Sequence, residues 1–260
     1  MPSHGENSGR LYIVGIGPGD VSCMTGRAKE ALEASEYIIG NATYLDQLGP
    51  LIGGKQVIRS SMGREVERAE KAADLARDHV VSIVSGGDPG VYGMASIVLE
   101  IIERRGLTVS VEVIPGVTAA QAAASRLGSP LSGDYVSMSL SDLLTPWEVI
   151  EERLHHAFSM GVPVALYNPR SRGRSEHAAR AVEIALSHLP PQTPVGVVKN
   201  ACRPGEAVTV TTLQDLPSIL DQVDMHTILI VGGMESRIWR SGRDVRGIIT
   251  PRGYHRKYVY

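Results

Sequence analysis

The chain has 260 residues, of which 43% are hydrophobic and 21% are charged, and its formal net charge is −2. A chain of this length exceeds a single typical core, so two domains of ordinary globular composition are expected. The small net charge excludes a global positive field that would attract nucleic acid or an anionic membrane, and the two cysteines exclude a disulfide scaffold.

Residues 1–9, MPSHGENSG, are polar and lack the apolar region of a signal peptide, so they are predicted to form a disordered tail. No apolar run approaches the ~18 residues that a membrane helix requires. The eight histidines show no metal-ligand spacing, because His155 and His156 are adjacent on a predicted helix and their side chains diverge. We therefore expect a soluble cytoplasmic protein without a metal site.

Short apolar runs alternate with helical patterns over residues 10–117. This alternation is typical of a mostly parallel sheet covered by helices on both faces, and it predicts an N-terminal α/β domain. In chain order, the predicted elements are a strand at 11–17, a helix capped by Thr25, a strand at 36–40, a helix at 64–78, a strand at 80–84, a helix at 93–105 and a strand at 108–114.

A second α/β domain is predicted over residues 118–236, after the break Pro115-Gly116-Val117. Adjacent extended runs without intervening helices indicate a mixed sheet in this half. The motif Thr145-Pro146-Trp147-Glu148 predicts a capping box with proline at the first helical position. Residues 237–260 form a predicted basic extension with seven Arg or Lys, for which a dimer arm, a flap and a disordered segment are open alternatives. The other predicted elements are helices at 118–127 and 174–188 and strands at 134–140, 162–167, 195–199, 206–211 and 226–231.

The stretch VVSIVSGGDPGVYG, residues 80–93, begins as a buried strand and ends in Gly86-Gly87-Asp88-Pro89-Gly90. At the carboxyl end of a parallel strand, two glycines let a ligand approach the backbone closely, because no Cβ intervenes. Taken alone, the stretch is explained as well by a tight strand-to-helix turn. The ligand-site interpretation is favoured because other predicted strands end in the same way.

The loop Gly15-Ile16-Gly17-Pro18-Gly19-Asp20 matches a dinucleotide-binding fingerprint only in part. That fingerprint requires a third glycine where Asp20 stands, and Pro18 removes a main-chain amide from the loop. Asn41 stands at the end of the second predicted strand, where an acidic residue is expected. The Asp20 carboxylate would also repel a phosphate, so a Rossmann nucleotide site is not favoured.

Several motifs occur along the chain in one order: VGIGPGD with MTGRA, SGGDPGVYG, IPGVTAAQAAASRLG, ALYNPRSRGR, VGVVKNACRPGE and TILIVGG. Over roughly residues 10–240, their combination resembles the corrin and porphyrin methyltransferase family. The resemblance implies a two-domain α/β enzyme, usually a homodimer, with S-adenosylmethionine in a cleft between the domains. Within the family, TYLD at 43–46, YNPRSRGR at 167–174 and TPRGYHRKY at 250–258 most resemble the cobalamin-biosynthetic enzymes that methylate C17 of precorrin-3B, or of cobalt-factor III, and contract the ring to the precorrin-4 level.

S-adenosylmethionine carries a sulfonium and a zwitterionic amino acid head but no pyrophosphate. Close main-chain amides and the Asp88 carboxylate suit such a ligand, although capping of the following helix is an equally good role for Asp88. Thr118 likewise has the alternative role of a plain helix cap. By resemblance, the implied cofactor-binding residues are Pro18, Gly86, Gly87, Asp88, Val91, Thr118, Ala119, Asn168, Ala201 and Thr227.

The implied substrate is a tetrapyrrole, which carries many acetate and propionate groups, and carboxylates favour the planar fork of arginine. Arg170, Arg172 and Arg174 follow one predicted strand, and Lys199 ends another. A solvated surface is the favoured interpretation for any one of them, whereas for the group at the strand ends substrate binding is favoured. The expected partners are therefore a small-molecule tetrapyrrole and a second copy of the chain, without nucleic acid or membrane.

Methyl transfer is an in-line displacement at a reactive sulfonium, so no metal or covalent nucleophile is predicted. Ring contraction additionally requires proton transfers, for which the unranked candidates are Asp88, Tyr44, Tyr92 and Lys199. Two cysteines are too few for an iron–sulfur cluster within one chain, so the substrate is expected to arrive already activated, with cobalt-factor III slightly favoured. The alternatives are a methylase of another corrin carbon, of protein or of RNA, and a non-catalytic nucleotide-binding module.

Overall fold

The computed structural model describes residues 9–171 and 173–260, so residues 1–8 of the tail predicted at 1–9, and Arg172, lie outside the described residues. The chain divides into two compact units, the first ending at Thr118 and the second beginning at Ala119. Among the described residues, no helix is both long and apolar enough to span a membrane.

The first unit is an α/β sandwich around a five-stranded sheet. Its strands are ordered β3-β2-β4-β1-β5 and every pair is parallel, which confirms the predicted parallel sheet. The elements are β1 Arg10–Gly15, α1 Gly26–Ala34, β2 Tyr37–Asn41, α2 Ala42–Leu48, β3 Gln56–Ser60, α3 Glu65–Leu75, β4 Val80–Ser85, α4 Ala95–Arg104 and β5 Ser110–Ile114.

Both faces of the sheet in the first unit are buried. Successive side chains of a strand point to opposite faces, and here the side chains on both faces are apolar. Ile13 and Ile83 face one core with α3 and α4, whereas Val14 and Val84 face a second core with α1 and α2. Each of these side chains is at most 1% exposed, and burial of one such side chain contributes roughly 1.5–3 kcal/mol.

Helix starts in the first unit follow the predicted capping chemistry. The Thr25 hydroxyl accepts the Ala28 amide at 3.1 Å, which confirms the predicted cap of α1. Asn41 accepts the Thr43 amide at 2.9 Å and caps α2. The side chain that stands in place of a ribose-binding acid is therefore used to begin a helix.

The second unit contains a five-stranded sheet ordered β10-β9-β11-β8-β7, in which β7 and β8 are parallel and the other neighbours antiparallel. This arrangement confirms the predicted mixed sheet. Phe158, Leu166, Val195 and Leu229 lie in its core. The elements are α5 Ala119–Leu127, β6 Gly128–Ser129, β7 Val136–Ser139, α6 Trp147–Ser159, β8 Val164–Tyr167, α7 His177–Leu186, β9 Pro194–Lys199, β10 Ala207–Thr212, β11 Thr227–Val231, β12 Arg237–Ser241 and β13 Asp244–Ile249.

Two predictions for the second unit need correction. Pro146 is the N-cap of α6 with an extended ψ of 145°, so the helix begins one residue later than the capping box predicted. Residues 237–260, predicted as a separate basic extension, contain the antiparallel hairpin β12–β13, and β13 pairs with β6. The hairpin was not predicted because its strands carry exposed arginines and lack a continuous apolar run. A surface hairpin needs apolar residues only at alternate positions.

Candidate functional site

The carboxyl edge of the first sheet brings together the loops that follow β1 and β4. Gly17 donates its amide to the Gly87 carbonyl at 3.1 Å, and Gly87 returns its own amide to the Gly17 carbonyl at 2.7 Å. The Gly87 amide is thus used inside the protein, although the sequence suggested that it faces a ligand. What Gly87 offers a ligand is the absence of a side chain, at a φ of 67° that favours glycine.

Gly86 is covered by an aromatic ring. A Cβ at this position would lie 2.7 Å from Cε1 and Cζ of Tyr44, which projects from α2. Tyr92, in the same loop as Gly86, has a φ of 51° and is 54% exposed. The structure therefore places the candidate Tyr44 against the Gly-Gly turn and the candidate Tyr92 in the loop that contains this turn.

Asp88 accepts two main-chain hydrogen bonds. Its Oδ1 accepts the Gly90 amide at 2.8 Å, and its Oδ2 accepts the Gly116 amide at 3.0 Å. Helix α4 begins at Ala95 with Met94 as its N-cap, so the alternative in which Asp88 caps this helix is wrong. The carboxylate instead connects its own loop to the loop that follows β5.

The loop after β5 packs backbone to backbone on the other two loops. A Cβ at Gly116 would overlap the Gly87 carbonyl oxygen and lie 2.9 Å from the carbonyl of Gly15. Segments 15–20, 86–93 and 115–118 therefore form one structure, which we call the three-loop edge. It contains the predicted cofactor residues of the first unit, with Pro18 buried and Gly86, Gly87, Asp88, Val91 and Thr118 half-buried.

In the second unit, the strand register gathers the remaining predicted residues at one sheet edge. Lys199, the last residue of β9, pairs with Thr227, the first residue of β11, and β11 runs antiparallel to β8. The residues after β8 and β9, Asn168 and Ala201 among them, consequently lie at the same edge as Thr227. The Tyr167 hydroxyl accepts the Ala120 amide at 3.0 Å, which brings the start of α5 and Ala119 to this edge.

The backbone at this second edge is strained. Asn168, Asn200 and Cys202 have φ values of 51°, 51° and 59°, in the left-handed region that side chains disfavour. Such conformations persist where surrounding contacts hold them, and they concentrate at functional sites. Asn168 is held by a 3.0 Å hydrogen bond from its amide group to the Ser139 hydroxyl.

Sequence reasoning missed an ion pair that holds the Cys202 turn. Glu206 accepts the Cys202 amide at 2.6 Å and the Arg126 guanidinium at 2.9 Å, and Arg126 also donates to the Cys202 sulfur at 3.3 Å. The hydrogen bonds from Arg126 and the Cys202 amide hold the pKa of Glu206 below its usual range. Arg126 and Glu206 are 80 residues apart, so no local spacing could have revealed the pair.

The predicted substrate cations have partners within the second unit. Arg170 donates to the Leu220 carbonyl at 2.5 Å, and Arg174 donates to the Leu140 carbonyl at 3.2 Å. Lys199 lies 2.6 Å from the Asp224 carboxylate. These three side chains therefore fix loops at the second edge.

Asp224 shows how polar the second edge is. Burial tends to raise its pKa, but hydrogen bonds from Lys199, the His226 amide and the Thr227 hydroxyl outweigh burial, so the pKa lies below its usual range. The Thr227 hydroxyl donates to the Asp224 carboxylate at 3.1 Å, and Thr227 is 1% exposed. Thr227 is thus a buried support for the turn before β11.

The sequence analysis also missed a set of contacts around His177. The His177 ring stacks on Trp147 with centroids 4.1 Å apart, its Nδ1 is 2.9 Å from the Leu140 carbonyl, and its Nε2 is 3.7 Å from Asp142. These residues come from three separate segments that only folding brings together. Within the described ranges, no group of three or more His, Cys, Asp or Glu is placed to hold a metal ion.

A family model described as Tetrapyrrole (Corrin/Porphyrin) Methylases matches residues 10–217. The chain is 47% identical over 251 residues to the cobalamin biosynthesis protein CbiHC of Archaeoglobus fulgidus, covering 96% of this chain and 54% of that relative, so it spans about half the length of that protein. It is 46% identical over 245 residues to the probable cobalt-factor III C(17)-methyltransferase of Salmonella typhimurium, covering 94% of this chain and 99% of the relative.

Among solved structures, the methyltransferase CobJ superposes with a TM-score of 0.86 at 32% identity, covering 94% of this chain and 100% of that chain. The structural similarity thus extends over nearly the whole chain.

Proposed function

Because the chain belongs to the tetrapyrrole (corrin/porphyrin) methylases, we propose that it transfers a methyl group from S-adenosylmethionine to C17 of cobalt-factor III or precorrin-3B, with contraction of the ring to the precorrin-4 level. The observation that carries this proposal is the match over nearly the whole length of a relative that bears a C17-methyltransferase name. Cobalt-factor III is the favoured substrate, since that relative is named for it.

The three-loop edge suits S-adenosylmethionine better than a dinucleotide. A pyrophosphate requires several free main-chain amides at a helix start. Here Pro18 has no amide, the Gly87 amide is bonded to Gly17, and the Asp20 carboxylate accepts the Ser22 amide at 2.7 Å. The half-buried Gly-Gly turn, with the Tyr44 ring against Gly86, favours a ligand with a flat base and a zwitterionic head.

We assign the cofactor to Pro18, Gly86, Gly87, Asp88, Val91 and Thr118 in the first unit and to Ala119, Asn168, Ala201 and Thr227 in the second. When bound, S-adenosylmethionine would supply an electrophilic methyl group on a sulfonium, which the substrate carbon would attack in line, with S-adenosylhomocysteine as the leaving group. The protein's own task is alignment and exclusion of water, and good alignment can supply ~7–11 kcal/mol of the barrier. Tyr44 and Tyr92, beside the Gly-Gly turn, are the proposed groups for proton transfer during ring contraction.

The carboxylates of the tetrapyrrole are assigned to Arg170, Arg172, Arg174 and Lys199. A guanidinium carries five N–H donors, so the single hydrogen bond from Arg170 to the Leu220 carbonyl leaves donors for a substrate carboxylate. Lys199 is already paired with Asp224, and it binds substrate only by sharing that partner. Arg170 is therefore the side chain we expect to contribute most among those that the structure describes.

A homodimer and a cytoplasmic location complete the proposal, as the family resemblance implies. Light scattering of the purified protein tests the assembly, since a dimer has twice the mass of the 27.9 kDa chain. Fractionation of the source cells tests the location.

The reaction is tested by incubating the purified protein with methyl-labelled S-adenosylmethionine and with cobalt-factor III or precorrin-3B in separate reactions. Carbon NMR then locates the label, and the mass and visible spectrum report the ring. A label at C17 together with a contracted ring supports the proposal. Methylation of another corrin carbon, or of protein or RNA with neither tetrapyrrole labelled, contradicts it.

A further inference from the structure

Asp88 is the one acidic side chain of the Gly-Gly-Asp turn, and both of its carboxylate oxygens point at main-chain amides. We propose that Asp88 is a positioning residue that fixes the three-loop edge for cofactor binding and that it transfers no proton in the reaction. This inference rests on the proposed function, because it concerns the same cofactor site.

The two hydrogen bonds of Asp88 have different effects on the backbone. The bond from Gly90, two residues further along, closes a tight turn inside the loop after β4 at 2.8 Å. The bond from Gly116, which is 28 residues away, ties that loop to the loop after β5 at 3.0 Å. One carboxylate therefore sets both the shape of its own loop and the distance to the next.

The loop after β1 joins the same network through the main chain. Gly17 and Gly87 exchange two amide hydrogen bonds, and Gly87 immediately precedes Asp88. A Cβ at Gly15 or Gly116 would overlap neighbouring backbone, so only glycine fits at these positions. The contact between the loops therefore contains no side chain from these glycines that could stabilise it. An ionised carboxylate that accepts amides forms stronger bonds than a neutral group does, so Asp88 is well suited to hold a contact made of bare backbone.

The same two bonds argue against a role in proton transfer. A protonated carboxyl group is a weaker acceptor than a carboxylate, so proton uptake by Asp88 would weaken the two main-chain hydrogen bonds that hold the loops. A general base must also reach the proton that it removes, whereas each Asp88 oxygen is directed at a fixed amide.

The test compares Asp88→Asn and Asp88→Ala with a matched control, Glu36→Gln. Glu36 also ties two strands through a main-chain amide, accepting the Val80 amide at 3.0 Å, but at the amino edge of the same sheet. Calorimetry measures S-adenosylhomocysteine binding, and steady-state kinetics with methyl-labelled cofactor give kcat, KM and their pH profiles. Binding to the unsubstituted protein is measured first, and its absence would overturn the proposed function before any variant is compared.

We expect Asp88→Ala to weaken S-adenosylhomocysteine binding at least ~10-fold, which corresponds to about 1.4 kcal/mol, and Asp88→Asn to weaken it less. In Asp88→Asn, KM for the cofactor rises while kcat at saturation and the shape of its pH profile are retained. Glu36→Gln lowers the melting temperature but leaves the dissociation constant unchanged. This pattern separates positioning at the cofactor edge from a general contribution to stability.

Two results would overturn the inference. If folded Asp88→Asn and Asp88→Ala bind S-adenosylhomocysteine as tightly as the parent, the carboxylate is structural only. If Asp88→Asn keeps that affinity but loses roughly 10²–10⁴-fold in kcat together with one limb of the pH profile, Asp88 is an acid or base. Asp88→Asn preserves side-chain size, so the comparison stands even where Asp88→Ala does not fold.

Discussion

Replacement of Gly116 by alanine tests the close packing of the three-loop edge. The added Cβ would overlap the Gly87 carbonyl oxygen and lie 2.9 Å from the carbonyl carbon and oxygen of Gly15. Ordinary contacts between carbon and carbonyl oxygen are about 3.3–3.6 Å, so both neighbouring loops must move. The obstacles are backbone atoms, which cannot rotate away as a flexible side chain can.

Overpacking of this kind costs ~1–3 kcal/mol, and 1 kcal/mol lowers the melting temperature by about 2–4 °C in a protein of 150–250 residues. We therefore expect Gly116→Ala to melt roughly 2–12 °C below the parent. Because the displaced loops carry the proposed cofactor residues, S-adenosylhomocysteine binding should weaken in the same variant. Differential scanning calorimetry and isothermal titration calorimetry measure the two effects.

Gly26→Ala is the matched control, since an added Cβ at Gly26, the first residue of α1, has no atom within 4 Å. Alanine is favoured over glycine in a helix, so this variant should melt at or above the parent temperature and bind the cofactor product normally. A Gly116→Ala protein with an unchanged melting temperature would refute the packing argument. Unchanged ligand affinity despite a lowered melting temperature would refute the assignment of the loops to cofactor binding.

The remaining predictions concern the second unit. Glu206→Gln should lower the melting temperature at pH 7 because the ion pair with Arg126 is lost. Since the folded pKa of Glu206 lies below its usual value near 4.5, the difference in melting temperature between parent and variant should persist above that pH and shrink as the pH falls through the folded pKa. A difference in melting temperature at pH 3 equal to that at pH 7 contradicts this. Tyr167→Phe should cost ~1–3 kcal/mol in the free energy of unfolding, measured with urea, because the buried Ala120 amide loses its acceptor, and an unchanged midpoint would contradict that role. Arg170→Ala should weaken tetrapyrrole binding while S-adenosylhomocysteine binding is retained, and equal loss of both ligands in titrations would mean that this side chain only supports the edge.

Much of the first unit follows from local sequence. Runs such as Val80–Ser85 are apolar on both sides of the strand, and only a sheet covered on both faces can bury them. Thr25 and Asn41 provide hydrogen-bond acceptors that begin helices wherever they stand before a helical pattern. The sequence also predicted that several strands end in similar turns, and the structure brings the turns after β1 and β4 together at the carboxyl edge of the sheet.

The roles of individual groups at that edge were beyond local sequence. Whether the Gly87 amide faces a ligand or another loop depends on how closely β1 approaches β4, and the structure pairs it with Gly17. Asp88 followed by Pro89 is a familiar turn signal, but its second partner, Gly116, is 28 residues away. Hydrogen-bonding capacity is a property of the residue, whereas the choice of partner is a property of the fold.

The sequence by itself determined the two α/β halves, the positions of most of their strands and the glycine-rich turns, because strand burial, helix capping and backbone freedom are properties of neighbouring residues. Only the tertiary structure decided the strand order, the antiparallel placement of β11 beside β8, and the pairing of the β12–β13 hairpin with β6. It also decided that Arg126 meets Glu206 and that Arg170 and Lys199 already have partners. These contacts join residues that are distant along the chain, so no pattern among neighbouring residues specifies them.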